Sequence, residues 1–117
     1  MRIVIADRQT ATRSALSMLL TSEQDVKIVG EAGDKQQLLS MVEATQPDVV
    51  LLDWELAGSA TVDLLADLRA MTLSFKVIAL SGRPEAQQVA LNAGVDGFVS
   101  KGDSPARLLT ALRAIQL

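Results

Sequence analysis

Four apolar runs in the chain each end on a polar or charged residue, and this repeated pattern constrains the fold more than any other feature. The runs and their terminal residues are Ile3 to Ala6 with Asp7, Val49 to Leu52 with Asp53, Val77 to Leu80 with Ser81, and Gly97 to Ser100 with Lys101. Short apolar runs of this kind are typical of strands buried on both faces, as in a parallel sheet covered by helices. Ligands bind outside the carboxyl ends of such strands. Any one terminal residue could simply be the first solvated position after its strand, but the four together predict a site at one edge of the sheet.

Strand-like runs alternate with helix-like segments at a spacing of roughly 20 to 28 residues, the length of a strand with its crossover helix. The sequence therefore predicts an α/β fold, a doubly wound five-stranded parallel sheet built from five βα units, (βα)5. Nothing in the sequence resembles a linker, a low-complexity tract or a second domain. Residues 1–117 are accordingly predicted to form one domain.

Turn-forming and capping residues predict where the helices begin and end. The segment from Thr10 to about Ser22 is predicted to be a helix, and the side chains expected on its buried face are Ala11, Ala15, Met18 and Leu19. Later boundaries are expected at Asp34 and Ser59 as N-caps, at Pro84 in the first turn of the fourth helix, and at Gly94 at the end of that helix.

Composition excludes several function classes. The chain contains neither histidine nor cysteine, which removes Ser-His-Asp hydrolysis, histidine or thiolate zinc sites, and phosphorelay through its own histidine. A net charge of -3 argues against direct binding of nucleic acid or an anionic membrane by this domain. No run approaches the roughly 20 apolar residues of a membrane span. Because Met1 is followed almost at once by the first strand, we expect no signal peptide and a cytoplasmic location.

Taken in order along the chain, the terminal residues resemble those of a response-regulator receiver domain, and the resemblance covers essentially the whole chain. Receivers have an acidic pair after the first strand, an acceptor aspartate after the third, a hydroxyl after the fourth, an aromatic residue in the fifth and a lysine after it. The matching residues are Asp7, Asp53, Ser81, Phe98 and Lys101. The segments Ile28 to Ala32 and Gly94 to Phe98 are similar to receivers that precede a LuxR-type helix-turn-helix domain.

The resemblance implies a flavodoxin-like strand order, 2-1-3-4-5, and a phosphoryl transfer to Asp53. The implied donor is a histidine kinase, a phosphotransfer protein or a small phosphodonor. Lys101 and Ser81 would contact the phosphoryl oxygens, and Ser81 with Phe98 would form the switch. Receivers catalyse their own phosphorylation and dephosphorylation, but we do not expect this chain to act as an enzyme. Output to another domain or partner would use the face formed by the fourth helix, fifth strand and fifth helix, and a homodimer is left open.

Arg8 departs from the receiver pattern, because it stands where the second acidic residue normally binds magnesium. A usual receiver offers three carboxylates and one lysine, a net charge of -2, whereas Asp7 and Asp53 here face Arg8 and Lys101, a net charge of zero. At an effective dielectric constant of 20, two unit charges about 4 Å apart interact with ~4 kcal/mol. We therefore expect magnesium binding to be weak or absent.

Glu55 and Arg83 also lie close to the predicted site. Glu55, two residues after Asp53, could pair with Arg83 or with Arg8, could be an ordinary solvated surface residue, or could join Asp7 and Asp53 as a substitute magnesium ligand.

Two functional interpretations follow from the sequence. In the first, Asp53 is phosphorylated despite Arg8 and the domain works as a switch with impaired use of magnesium. In the second, the chain is a pseudo-receiver, a protein-interaction module in which the Arg8 guanidinium pairs bidentately with Asp53 and holds one conformation without phosphate. A flavin-binding domain is disfavoured, since the loop after Asp7 has no glycine that would let the backbone wrap around a phosphate.

Overall fold

Five strands and five α-helices alternate along the chain in the computed structural model, which describes residues 1–115. The strands are β1 (Arg2–Ala6), β2 (Lys27–Ala32), β3 (Val49–Asp53), β4 (Lys76–Ser81) and β5 (Gly97–Ser100). The helices are α1 (Thr10–Thr21), α2 (Lys35–Thr45), α3 (Thr61–Ala70), α4 (Ala86–Ala93) and α5 (Pro105–Ile115). None of the helices within residues 1–115 has the length and hydropathy of a membrane span.

The strands form one parallel sheet in the order β2-β1-β3-β4-β5, which confirms the predicted fold class and strand order. The order reverses between β1 and β3, because the chain first adds β2 on one side and then crosses to the other side. A reversal of this kind opens a crevice at the carboxyl ends of the two strands. The register pairs Ala6 with Leu52 and Asp53 with Leu80, so the residues that follow these strands meet at that crevice.

Two apolar layers cover the sheet, one on each face. Alternate residues of the strands enter different layers: Ile3, Ile5, Val49, Leu51 and Ile78 pack with α1 and α5, and Val4, Ala6, Val50, Leu52 and Val77 pack with α2, α3 and α4. Each large apolar side chain contributes about 1.5 to 3 kcal/mol when it is fully buried. Burial on both faces explains why the strand sequences are continuous apolar runs.

Helix α1 presents a different face to the core from the one predicted. Ala11 and Ala15 are exposed, and Met18 is 76% exposed. The side chains that pack on the sheet are Leu16, Leu19 and Leu20. With about 100° of rotation per residue, these leucines lie on a stripe centred well away from Ala11, Ala15 and Met18. The prediction was wrong for those three residues because leucines bury more apolar area than alanines.

Two of the four predicted boundaries are confirmed. The Asp34 carboxylate accepts a hydrogen bond from the Gln37 N–H at 2.8 Å and caps α2, and Gly94 ends α4 with φ of 106°. Such a positive φ favours glycine.

The boundaries predicted at Ser59 and Pro84 were wrong. Ser59 lies inside a 3-10 turn, Gly58–Ala60, which delays the start of α3 to Thr61. Pro84 lies in a turn that precedes α4, and the helix itself begins at Ala86.

Candidate functional site

Asp7, Asp53 and Lys101 meet at the carboxyl edge of the sheet, as the strand pattern predicts. The Lys101 ammonium donates to Asp7 Oδ2 at 2.8 Å and to Asp53 Oδ1 at 3.2 Å. Asp7 and Asp53 are 1% and 0% exposed, because Asp7 directly follows β1 and Asp53 is the last residue of β3, and both strands are buried on both faces. Two carboxylates at this depth require a cation between them.

The two carboxylates also set the protonation behaviour of the lysine. Burial lowers the pKa of Lys101, but the hydrogen bond to Asp7 and the charge of Asp53 outweigh it, so the pKa is raised above its ordinary value. Lys101 therefore stays positively charged throughout the neutral pH range.

Arg8 reaches the Asp53 carboxylate from the solvent side. Its backbone N–H and its side-chain Nε lie 3.4 Å and 3.3 Å from the same oxygen, Asp53 Oδ2. The arginine side chain is 53% exposed. The pairing therefore uses a single carboxylate oxygen and one guanidinium nitrogen, and the bidentate geometry predicted from the sequence is not formed.

Each oxygen of the two buried carboxylates has at least one donor. Besides the lysine and arginine contacts, the Gln9 N–H donates to Asp7 Oδ1 at 2.8 Å and the Glu55 N–H donates to Asp53 Oδ1 at 3.0 Å. Throughout residues 1–115, no buried side-chain nitrogen or oxygen lacks a hydrogen-bond partner. The site is thus satisfied by protein groups alone.

This donor set does not fit a magnesium ion. Magnesium binds through oxygen ligands at short distances, commonly one or two carboxylates with water and phosphate. Here Asp7 and Asp53 are already neutralised by Lys101 and Arg8. In the part of the chain that is described, no group of three or more acidic side chains is arranged to hold a metal ion.

Glu55 forms one of its expected ion pairs, with Arg83, and also a contact that was not expected. The Ser81 hydroxyl donates to its carboxylate, 2.9 Å from Oε1 and 3.0 Å from Oε2, while Arg83 Nη2 lies at a longer 3.9 Å from Oε2. Ser81 is fully buried and also accepts a hydrogen bond from the Arg83 N–H at 3.0 Å. Sequence reasoning missed the Glu55–Ser81 contact, because no spacing rule joins a loop residue to the end of the neighbouring strand. Its role as a substitute magnesium ligand stays a prediction.

The resemblance implies output through the face formed by α4, β5 and α5. Phe98 is half-buried and packs against the apolar layer under α4. Val89 and Leu91 of α4 are 52% and 42% exposed. Near this face, Arg113 of α5 and Asp96, which precedes β5, form ion pairs within the chain, Arg113 with Glu23 and Asp96 with Arg69.

Comparison with known proteins gives a consistent match. The response regulator receiver domain family matches residues 3–113. The nitrate/nitrite response regulator protein NarL of Escherichia coli K12 is 31% identical over 112 residues, covering 94% of this chain and 52% of that protein. The transcriptional regulatory protein DesR of Bacillus subtilis is 30% identical over 113 residues, covering 97% of this chain and 57% of that protein. The chain thus spans about half the length of these relatives.

Solved structures agree with the sequence matches. The signal receiver domain of the response regulator NarL from Mycobacterium tuberculosis has a TM-score of 0.85 at 29% identity, covering 97% of this chain and 93% of that chain. A LuxR-family DNA-binding response regulator from Staphylococcus aureus has a TM-score of 0.84 at 28% identity, covering 97% and 96%. The similarity therefore extends over nearly all of the fold described above.

Proposed function

Because the chain belongs to the response regulator receiver family, we propose that it is a signal-transduction receiver in which Asp53 is the phosphoryl acceptor and Arg8 impairs magnesium-dependent phosphorylation. The resemblance to LuxR-type receivers is confirmed by relatives and structures of that group. The proposal that Arg8 impairs phosphorylation is supported by one observation, the contact of Arg8 Nε with Asp53 Oδ2 at 3.3 Å.

In the proposed reaction an oxygen of Asp53 forms a bond to phosphorus as the bond from phosphorus to the donor breaks. The donor is a phosphohistidine of a kinase or phosphotransfer protein, or a small acyl phosphate, and its leaving group departs with the electron pair. Both reactants are anionic, so cations must hold the phosphoryl oxygens. Lys101 is placed for this role, since its ammonium already contacts Asp53 Oδ1.

Arg8 affects this reaction in two opposing ways. Its positive charge can attract the phosphoryl group, but its contact with Asp53 Oδ2 occupies a lone pair of the attacking carboxylate. Receivers generally use Mg²⁺ at this site, and the cluster of Asp7, Asp53, Arg8 and Lys101 carries no net charge to attract a divalent ion. We infer that self-catalysed phosphoryl transfer is slow in this chain.

A pseudo-receiver is the second candidate function, and the same contact favours it. Arg8 and Lys101 place positive charge on both oxygens of Asp53 without any modification of the chain. Partner binding would then use one fixed conformation. The exposed Val89 and Leu91 of α4 support output through the α4, β5 and α5 face, to a partner or to a DNA-binding half such as that of the LuxR-type relatives.

Intact-mass measurement after incubation with acetyl phosphate and magnesium tests the proposal. Wild type should gain little phosphoryl adduct, Arg8→Asp should gain more, and Asp53→Ala should gain none in either background. In parallel, magnesium should quench Trp54, the only tryptophan of the chain, at far lower concentration in Arg8→Asp than in wild type. Efficient labelling of wild type at Asp53 would overturn the impairment and the pseudo-receiver interpretation together.

A further inference from the structure

The Ser81 hydroxyl is held by two groups of the chain itself. It donates to the Glu55 carboxylate, which it meets almost symmetrically at 2.9 Å and 3.0 Å, and it accepts from the Arg83 N–H at 3.0 Å. Ser81 is 0% exposed, so water does not reach its hydroxyl while both partners are in place. A buried hydroxyl that loses its acceptor is costly, which fixes this arrangement.

The Glu55 carboxylate is itself tethered beside the acceptor. Its backbone N–H donates to Asp53 Oδ1 at 3.0 Å, and its side chain is only 20% exposed. The Arg83 guanidinium lies 3.9 Å away on the solvent side. A hydroxyl and a guanidinium are the donors that would also recognise a phosphoryl oxygen. The Glu55 carboxylate therefore lies between the Ser81 hydroxyl and the Arg83 guanidinium, where these donors could otherwise bind another anion.

A hydroxyl has one proton, so Ser81 can donate fully to only one anion at a time. We propose that Glu55 is a tethered anion that takes the Ser81 contact a phosphoryl group on Asp53 would otherwise make. This inference rests on the proposed function, with Ser81 as the switch hydroxyl that the resemblance to receivers implies. It makes Glu55 a positioning residue that holds Ser81 and the backbone of Arg83 in an anion-bound arrangement, whatever the state of Asp53.

Titration with inorganic phosphate tests the inference without phosphorylation. The readout is Trp54 fluorescence at constant ionic strength with EDTA present, since Trp54 stands between Asp53 and Glu55 and is 5% exposed. Glu55→Ala should bind phosphate about ten-fold more tightly than wild type, because a charge-assisted hydrogen bond becomes available to the added anion. Adding Ser81→Ala to Glu55→Ala should remove that gain.

A matched control separates a vacated site from a simple change of net charge. Glu85 is exposed in the connection between β4 and α4, and Glu85→Ala removes the same charge. Its phosphate affinity should stay at the wild-type level. Equal affinity of wild type and Glu55→Ala, an equal gain in Glu85→Ala, or a gain that survives Ser81→Ala would each overturn the inference.

A second variant protects the test against misfolding. Glu55→Gln keeps the size and a hydrogen-bond acceptor but removes the charge, so it should show a smaller gain in the same direction, and no gain would overturn the inference. None of these titrations depends on labelling of Asp53. Failure here leaves the proposed function standing, whereas efficient labelling of wild type with the expected phosphate gain would overturn only the impairment attributed to Arg8 and the pseudo-receiver interpretation.

Discussion

The two ends of the sheet carry ion networks of similar chemistry but different burial. At the carboxyl end, Asp7 and Asp53 are 1% and 0% exposed and share the Lys101 ammonium. At the amino end, the Asp96 side chain is 26% exposed and binds Arg69 at 2.7 Å. If its cation is removed, Asp96 can be solvated by water. Water cannot reach the buried Asp7 and Asp53. The same type of ion pair is therefore expected to differ in its energetic weight.

The two networks also differ in what they hold together. Arg69 donates to the backbone carbonyls of Phe75 and Gly94, and Asp96 accepts from the Val77 N–H. The amino-end network thus ties backbone segments to one another. The carboxyl-end network instead gathers side-chain charges at one point, the candidate site. Buried charge, and not the number of ion pairs, distinguishes the candidate site from the other end of the sheet.

Replacing Lys101 should produce the largest change in stability. It tests most directly whether the buried network contributes more than the exposed one. Lys101→Met keeps an apolar stem of similar length but leaves Asp7 and Asp53 buried with Arg8 alone. We expect a loss of about 2 to 3 kcal/mol in the free energy of unfolding, measured by urea denaturation. Adding Asp7→Asn should recover part of that loss. A loss below about 0.5 kcal/mol, the size expected of an exposed pair, would mean that both ends behave alike.

The pH dependence of the stability of wild type and Lys101→Met gives a second measure of the Lys101 contribution. The folded-state pKa of Lys101 is raised, so its contribution is fully present below the ordinary lysine value and is lost as pH rises through the folded value. The stability difference between wild type and Lys101→Met should be flat from neutral pH upward and should shrink only above about pH 10.4. A difference that already shrinks between pH 7 and 9 would contradict the raised pKa.

Arg8 should have an intermediate effect, because its guanidinium is half-exposed while its partner is buried. Arg8→Ala should destabilise the fold by about 1 kcal/mol at low salt. In a double-mutant cycle with Asp53→Asn the two effects should not add, since both changes remove one interaction. Simple additivity would mean that Arg8 does not interact with Asp53 in solution.

Asp96→Asn should have the smallest effect on stability, because its ion pair with Arg69 is partly exposed. Asp96→Asn keeps an acceptor for the Val77 N–H and removes only the charge, so we expect a loss of about 0.5 kcal/mol. Chemical denaturation with urea at low and high salt checks this, because screening should remove most of the difference at high salt. A salt-independent loss as large as that of Lys101→Met would show that burial is not what separates the networks.

Much of the fold could be predicted from the sequence because it depends on patterns within single segments. The apolar runs identified the strands, and Asp34 and Gly94 identified helix boundaries through capping and a positive φ. The prediction was wrong for α1, where the sequence pattern is compatible with two different buried faces. Helix α1 is apolar on more than one side, so periodicity alone did not choose between the stripe with Met18 and the stripe with Leu20.

The sequence by itself determined which residues stand at the strand ends, and the parallel topology made the meeting of Asp7, Asp53 and Lys101 predictable. Only the tertiary structure decided which partner each flexible side chain takes. The long side chains of Glu55 and Arg8 can each reach several groups. In the folded chain Glu55 meets the Ser81 hydroxyl at the end of β4, and Arg8 contacts one oxygen of Asp53. Strand ends are fixed by backbone hydrogen bonds, whereas these contacts are fixed by packing between segments distant in the chain.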